Sequence, residues 1–425
     1  MKKILIITYY WPPAGGSGVQ RWLKFAKYLP QFGWLPTIIT TENGDYQVID
    51  NSLLSEIPKN IKVIRTKTPT FYGIVRKILG KKSEIPYGTM KAKSDDSQLK
   101  KLLLWIRLNL IIPDARIIWN KFAFKAAVEE INKNKFDYVI TTGPPHSTHL
   151  IGLKLKKMFP VKWIADFRDP WTTMGYLKSV KRTLLATKLD KRLEQKVVTN
   201  CDLVLAVSRK IISDLGNDKK MFLLRNGFDE SDFENIFPTK QDNEFLINYF
   251  GTLPVESNPL IVLKAVYELR KKGIKNIKMN FYGNINEEIK RLLYKNDPEK
   301  IVKFYSYVPH KQVLQLMKES SLLLLIINNV KNNEGIITGK IFEYIGAGVP
   351  ILGVGPVNSE PAEILRESKA GTMFDYNDLN GIVEYLTKIY QNREKIISPD
   401  KTTISRFGRK NLTEQLVNIL ENYKQ

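Results

Sequence analysis

Short continuous apolar runs alternate along this chain with stretches of helical periodicity. The run Ser321–Ile327, SLLLLII, leaves no room for polar alternation, as expected of a strand buried on both faces of a parallel sheet. Comparable runs predict strands near Ile4–Thr8, Pro36–Thr40, Ile61–Thr66, Tyr138–Thr142, Trp163–Asp166, Leu203–Val207 and Phe222–Leu224. A polar, acidic stretch, Asn226–Glu244, then breaks the rhythm in the manner of a linker. A second set follows near Phe245–Phe250, Ile277–Tyr282, Val302–Tyr307, Leu322–Ile327, Pro350–Val354 and Gly371–Phe374. Strand and helix in strict alternation mean doubly wound α/β domains. The expected division is 1–232 and 245–400 with 233–244 as linker, and 401–425 as a closing segment. In that segment Leu412, Leu416, Ile419 and Leu420 mark a helix able to pack back on either domain.

The densest candidate chemistry lies between Ile326 and Val354, which reads as strand, loop, helix, strand. Thr338 is the expected N-cap of the helix, and Gly346, Gly348 and Pro350 mark its end. At 100° per residue Lys340, Glu343, Tyr344 and Ala347 share one face, while Ile341, Phe342 and Ile345 share the other. The second face packs and the first is open to a ligand. A helix N-terminus with a lysine attracts an anion, and a carboxylate one turn later accepts hydrogen bonds from a vicinal diol such as ribose. Phosphate beside sugar indicates a nucleotide. An ordinary i,i+3 surface ion pair explains the same two residues.

Length, at 425 residues, allows two to three domains with full cores. One cysteine, Cys201, rules out an intramolecular disulfide and a Cys-rich metal site, and three histidines are too few for a convincing zinc site. The apolar run after Met1 ends too early for a signal peptide or membrane span and is read as the first strand. The net charge of +23 is unevenly placed: residues 1–200 hold 35 Lys and Arg against 15 Asp and Glu, and residues 201–425 hold 31 against 28. A basic first half suits an anionic surface, lipid or nucleic acid, or else serves solubility alone.

Three stretches of that half carry further candidates. After the first strand, YYWPPAGGSGVQRW is a glycine-rich turn into a helix near Gly18; Arg21 stands where a dinucleotide fingerprint has its third glycine. TTGPPHSTH places His146 at a strand's C-terminal end, suited to a substrate hydroxyl or phosphate, or to a helix cap. In WIADFRDPW, Asp166, Arg168 and Asp169 either orient an acceptor hydroxyl or form a structural turn pair; no third metal ligand is evident. Between Phe71 and Phe124 the pattern loosens. There Leu102, Leu103, Trp105, Ile106 and Leu110, among Lys100, Lys101 and Arg107, read as a basic interfacial helix or a buried one.

In order and spacing, AGGSGV, TTGPPHS, ADFRDPW, LAVS, LRNGFD, YFGTL, YSYVPH and TGKIFEYIGAGVPIL resemble retaining GT-B glycosyltransferases of family 4, the type that builds bacterial surface polysaccharides. The resemblance implies an α/β fold of two Rossmann-like doubly wound domains facing a cleft, with the acceptor on the first and a nucleoside-diphosphate sugar on the second. It implies that Glu343 holds the ribose, that Thr338, Gly339 and Lys340 meet the donor phosphates beside Gly251 and Thr252, and that the Val308 backbone meets the base. Gly15, Gly16, Ser17 and Gly18 would form the acceptor-side loop near the reacting centre. His146 would contact the transferred sugar; Lys340, and from their own chemistry at a strand end Asp166, Arg168 and Asp169, complete the candidate catalytic set. No metal or other cofactor is expected. The implied partners are the nucleotide-sugar and a glycan or lipid-linked acceptor; the basic N-terminal domain adds an anionic membrane surface, and no nucleic acid is expected, so the expected place is the cytoplasm, either free or peripheral at the inner face of the plasma membrane.

The chain departs from the family pattern twice. Gly335 stands where a first glutamate is common, with Glu334 one residue off register. Thr252 stands where an arginine often follows the glycine, leaving Lys264 or Arg225 as alternative cations. Two other classes fit parts of the pattern: a GT-B-type nucleotide-sugar 2-epimerase, which needs no acceptor, and a non-enzymatic nucleic-acid or membrane-surface binder, for which no recognised nucleic-acid motif is present.

Overall fold

The computed structural model describes residues 1–46, 48–70, 73, 98–174, 177, 180–234, 236–238, 244–393 and 401–423. Most of FYGIVRKILGKK, and several residues of the expected linker, lie outside them. The chain divides into two units, Met1–Arg225 with Thr413–Gln425, and Asn226–Leu412. Among the described residues no helix is long and apolar enough to cross a membrane.

In the first unit the elements run β1 (Lys2–Ile7), α1 (Ser17–Tyr28), β2 (Trp34–Thr41), β3 (Lys62–Thr66), α2 (Gln98–Asn109) and α3 (Asn120–Lys133). They continue with β4 (Tyr138–Gly143), α4 (His149–Met158), β5 (Trp163–Phe167), α5 (Leu184–Asn200), β6 (Leu203–Ala206), α6 (Arg209–Leu215) and β7 (Met221–Leu223). All seven strands are parallel in the order β3-β2-β1-β4-β5-β6-β7. Leu5, Ile7 and Val139 bury one sheet face against Ala123, Ala127, Ile151 and Leu155 of the crossing helices. Trp163, Ala165, Phe167 and Val204 pack with Val197 and Ile211.

The second unit repeats the plan with β8 (Phe245–Phe250), α7 (Leu260–Lys271), β9 (Ile277–Tyr282), α8 (Glu287–Lys295), β10 (Val302–Tyr305), α9 (His310–Glu319) and β11 (Leu322–Ile326). After them come α10 (Lys340–Ala347), β12 (Ile351–Val354), α11 (Glu360–Ser368), β13 (Gly371–Phe374), α12 (Leu379–Gln391), α13 (Lys401–Ser405) and α14 (Arg409–Asn422). Its order is β10-β9-β8-β11-β12-β13. The expected strands therefore form, with ends shifted by a residue or two; β10, for instance, stops at Tyr305 rather than Tyr307.

The stretch Asn226–Glu244 is more than a connector. Phe228, Phe233 and Ile236 are buried in the second unit's core beside Phe407, and the Phe228 amide donates to the Phe407 carbonyl. Its acidic surface residues hid three apolar anchors. The last helix, α14, ends in the first unit, where the Leu420 carbonyl accepts from the Tyr138 hydroxyl and Tyr423 donates to the Asp202 carbonyl, each at 2.8 Å.

One glycine of the first unit is set by close approach. A Cβ on Gly152 of α4 would lie 2.0 Å from Trp163 Nε1, which donates to Thr141 Oγ1. Gly→Ala inside a helix ordinarily gains up to about 1 kcal/mol. Here overpacking should win, and Gly152→Ala should lose about 1–3 kcal/mol. Urea denaturation measures this, and a midpoint at or above wild type would contradict it.

Candidate functional site

Where strand order reverses, the connections from two neighbouring strands leave towards opposite faces and open a crevice at their C-terminal ends. In the second unit that point lies between β8 and β11. β8 ends in Gly251, whose φ of 105° suits glycine and whose missing side chain leaves room for Lys340; a Cβ there would sit 2.8 Å from Lys340 Cε. The Lys340 ammonium lies 4.2 Å from the Tyr249 ring centroid, and donates to the Tyr249 hydroxyl and, at 3.3 Å, to the Thr252 carbonyl. The Tyr249 hydroxyl donates in turn to that carbonyl at 2.6 Å. Burial pulls the Lys340 pKa down from 10.5 to about 8, against the attraction of Glu343.

Glu343, one turn along α10, is half-buried and faces His310 of α9, with Oε1 at 3.2 Å from Nε2. Val308 lies two residues before His310, in the loop between β10 and α9. Phe250, Tyr282 and Tyr305 end the adjacent strands β8, β9 and β10 and stack in a row, with ring centroids 5.0 and 4.6 Å apart.

Two expectations for α10 change, and its glycine-marked end forms as expected. Thr338 is not its cap: Gly339 holds the N-cap position with no side-chain bond, and the buried Thr338 hydroxyl has no hydrogen-bond partner among the described residues. The Thr338 carbonyl instead accepts from the Ile341 amide in a tight turn that brings the chain into the helix. The open face is also narrower than the wheel gave. Tyr344 and Ala347 are buried, because Tyr344 turns inward to accept the Phe250 amide, and Lys340 and Glu343 remain. Gly348 has a φ of 70° and closes the helix in the left-handed conformation, while a Cβ on Gly346 would strike the rings of Phe228 and Phe233.

In the first unit the order reverses between β1 and β4, and two arginines organise the loops leaving them. Arg168, at the end of β5, donates to the carbonyls of Gly18, Gly143 and Pro144, tying the glycine-rich turn to the Pro-Pro turn. Arg21 of α1 forms a fully buried ion pair with Asp166 at 2.8 Å. Asp166 also accepts from Trp22 Nε1 and Thr142 Oγ1, each at 2.8 Å. Asp166 and Arg168, expected in the catalytic set, are thus buried structural groups. This explains why Arg21 occupies the third-glycine position.

His146 is buried and stacked on Trp171 at 5.1 Å, with Nε2 at 3.1 Å from the Pro170 carbonyl, to which it donates as a neutral ring. Desolvation takes its pKa down to about 3, so it stays neutral. Gly16, with φ 88°, starts α1 with no side-chain cap and is exposed, whereas the Gly15 amide is spent on the Val48 carbonyl at 2.9 Å. Ser17 lies between Gly16 and Gly18 at the start of α1.

Below these loops opens a cavity of about 340 Å³ whose lining includes Tyr10, Arg107, His146, Asp169, Trp171 and Arg182. Asp169 meets water through it and has no hydrogen bond to any described residue; the surrounding protein pushes its carboxyl up to about 6 despite neighbouring Arg168. Arg182 is fixed by Asp190 at 2.8 Å, and Asp190 also accepts from Trp171 Nε1 at 2.7 Å. Sequence reading singled out Asp169 and His146 here but missed Trp171, Arg182 and Asp190, whose separations in the chain give no periodic signal.

Residues 231–405 match the family model described as Glycosyl transferases group 1. The second unit thus carries a group 1 glycosyltransferase domain, which supports a glycosyltransferase, and the two parallel-sheet Rossmann-like domains have the GT-B fold. Among solved structures it is similar to Anabaena Alr3699/HepE in complex with UDP and glucose, with TM-score 0.63, 14 % identity and 100 % of both chains covered. It is also similar to the sucrose-phosphate synthase of Thermosynechococcus elongatus (TM-score 0.63, 13 % identity, 99 % of this chain and 98 % of that one). A glycosyltransferase from Rickettsia africae gives TM-score 0.62 at 14 % identity, with 99 % of each chain covered. No curated protein is significantly similar to it in sequence.

Two measurements probe these sites. An ammonium with a pKa of about 8 is present at lower pH and lost as pH rises through that value. Turnover should therefore fall about tenfold per unit above pH 8, and Lys340→Arg should extend the plateau upward; a rate that is flat to pH 10 in wild type would contradict it. Asp166→Asn takes the carboxylate away from the fully buried Arg21 charge, and should lower stability in urea by about 3–5 kcal/mol. A loss below about 1 kcal/mol would place this pair among those of little consequence.

Proposed function

We propose that the chain transfers a sugar from a nucleoside-diphosphate donor to a hydroxyl of a lipid-linked or growing glycan, in surface polysaccharide synthesis at the cytoplasmic membrane face. The observation that carries the reading is the start of α10: an uncapped helix N-terminus with Lys340 beside it and Glu343 one turn on, at the switch point of the second sheet. The helix end and the ammonium receive the diphosphate, and the carboxylate accepts the ribose hydroxyls. The outer ring of the aromatic row, Tyr305, offers a face beside the Val308 loop for the base.

In the reaction the bond from the anomeric carbon to the diphosphate oxygen breaks, and its electron pair leaves with the diphosphate. The acceptor oxygen bonds to the same carbon, and its proton passes to the departing phosphate oxygen. Charge grows on the diphosphate, where Lys340 and the helix end stabilise it more than in the ground state. Retention of configuration comes from family resemblance alone. On the first unit Asp169 orients the acceptor hydroxyl from the cavity wall, and the Gly16 turn allows close backbone approach.

Lys340→Ala should lower kcat by roughly 10²–10³-fold with a smaller effect on donor affinity. Glu343→Ala should weaken donor binding by roughly tenfold or more. Steady-state kinetics paired with donor titration separates the two, and undiminished donor affinity in the Glu343 variant would remove the ribose assignment. A panel of nucleotide-sugars screened by thermal shift identifies the donor.

A further inference from the structure

Two helices of the first unit turn outward what helices ordinarily bury. On α2, Leu99, Leu102 and Trp105 lie at i, i+3 and i+6 and are exposed, Leu102 by 54 %, whereas Leu104, Arg107 and Asn109 face inward. Leu110, just past its end, is 66 % exposed. At the start of α5, Leu184 and Leu185 are 80 % and 79 % exposed, and Leu189 follows one turn later. The helices are locked together where these rows meet. The Thr183 amide donates to Asn109 Oδ1 at 2.7 Å, and Arg182 Nε donates to the Leu108 carbonyl at 3.1 Å.

The charges on this surface are sorted as well. Both acids of α5 are turned inward: Asp190 to Arg182 and Trp171, Glu194 to the amide and hydroxyl of Thr172. Lys188, Lys191, Arg192 and Lys196 remain exposed on the same helix, and Lys181 precedes it. α2 carries no acid at all. Large apolar side chains among cations, with the acids withdrawn, match an acyl boundary beneath anionic headgroups. A second copy of this chain matches them poorly, because its own first 200 residues hold 35 cations against 15 acids.

We infer that the outer rows of α2 and the start of α5 seat the first unit on an anionic lipid bilayer, with Leu184, Leu185 and Trp105 entering the acyl boundary. The inference rests on the proposed acceptor chemistry in one respect. Arg107 and Leu108 of α2, with Arg182 and Asp190, line the cavity that holds Asp169, so the seated face borders the cavity and a lipid-carried acceptor would reach it from the bilayer. Of this face the sequence marks only α2; the α5 leucines emerge with the fold.

The test is flotation of the full chain with vesicles of equimolar phosphatidylglycerol and phosphatidylcholine, against phosphatidylcholine alone, at low and high salt. Wild type should float with the anionic vesicles, less so at high salt. The double variant Leu184→Asp with Leu185→Asp, both at exposed positions, should lower the bound fraction about tenfold or more while its thermal unfolding and nucleoside-diphosphate binding stay as in wild type. Equal flotation of variant and wild type, or no preference for anionic vesicles, overturns the inference. So does a wild-type dimer in sedimentation that the double variant abolishes with no vesicle binding, which would make this face a contact between copies. Nucleotide binding is read separately, so its absence would sink the enzymatic reading and leave the vesicle result standing.

Discussion

Both units depend on one constraint of parallel sheets. A right-handed crossover places each connecting helix on a face set by the direction in which the chain moves along the sheet, so helices change face where the order reverses. Each sheet here reverses once, at β1/β4 in the first unit and β8/β11 in the second. Each reversal leaves strand ends uncovered at their carboxyl edge. The glycine-rich turn and the Pro-Pro turn occupy that edge in the first unit, and Gly251 with the loop before α10 occupies it in the second.

What the two edges do differs because their charges are handled differently. In the first unit the cations nearest the edge are consumed: Arg21 neutralises Asp166 out of contact with water, and Arg168 spends its guanidinium on three carbonyls. Such pairs have a large desolvation penalty, and their value lies in fixing geometry, here the relative placing of α1, β5 and two loops. In the second unit Lys340 is held by an aromatic face and two oxygens, with no counter-ion in contact among the described residues, so its charge remains available to an incoming anion. Burial already weakens its hold on the proton, which makes a negative ligand the natural complement.

The departure at Thr252 has a physical counterpart in this arrangement. The family arginine would extend from the position after the glycine; here the Lys340 ammonium itself reaches the backbone of that residue. Lys264, by comparison, lies on the exposed side of α7, and Arg225 is buried in the first unit.

The strands and their parallel, doubly wound character were legible in the chain itself, because continuous Val, Ile and Leu runs have no other economical burial than a sheet covered on both faces. So were Lys340 and Glu343 as neighbours on one helical face, since i and i+3 are adjacent on any α-helix. Spacing could not tell that Thr338 would leave the helix uncapped, or that Tyr344 would turn inward. Nor could it tell that Asp166 and Asp169, three residues apart at the end of one strand, would part into a sealed ion pair and a cavity carboxylate. Those outcomes rest on partners remote in sequence: Arg21 lies 145 residues from Asp166. A local pattern states which residues are near one another along an element, whereas solvent access and charge compensation are set by what the rest of the chain brings against them.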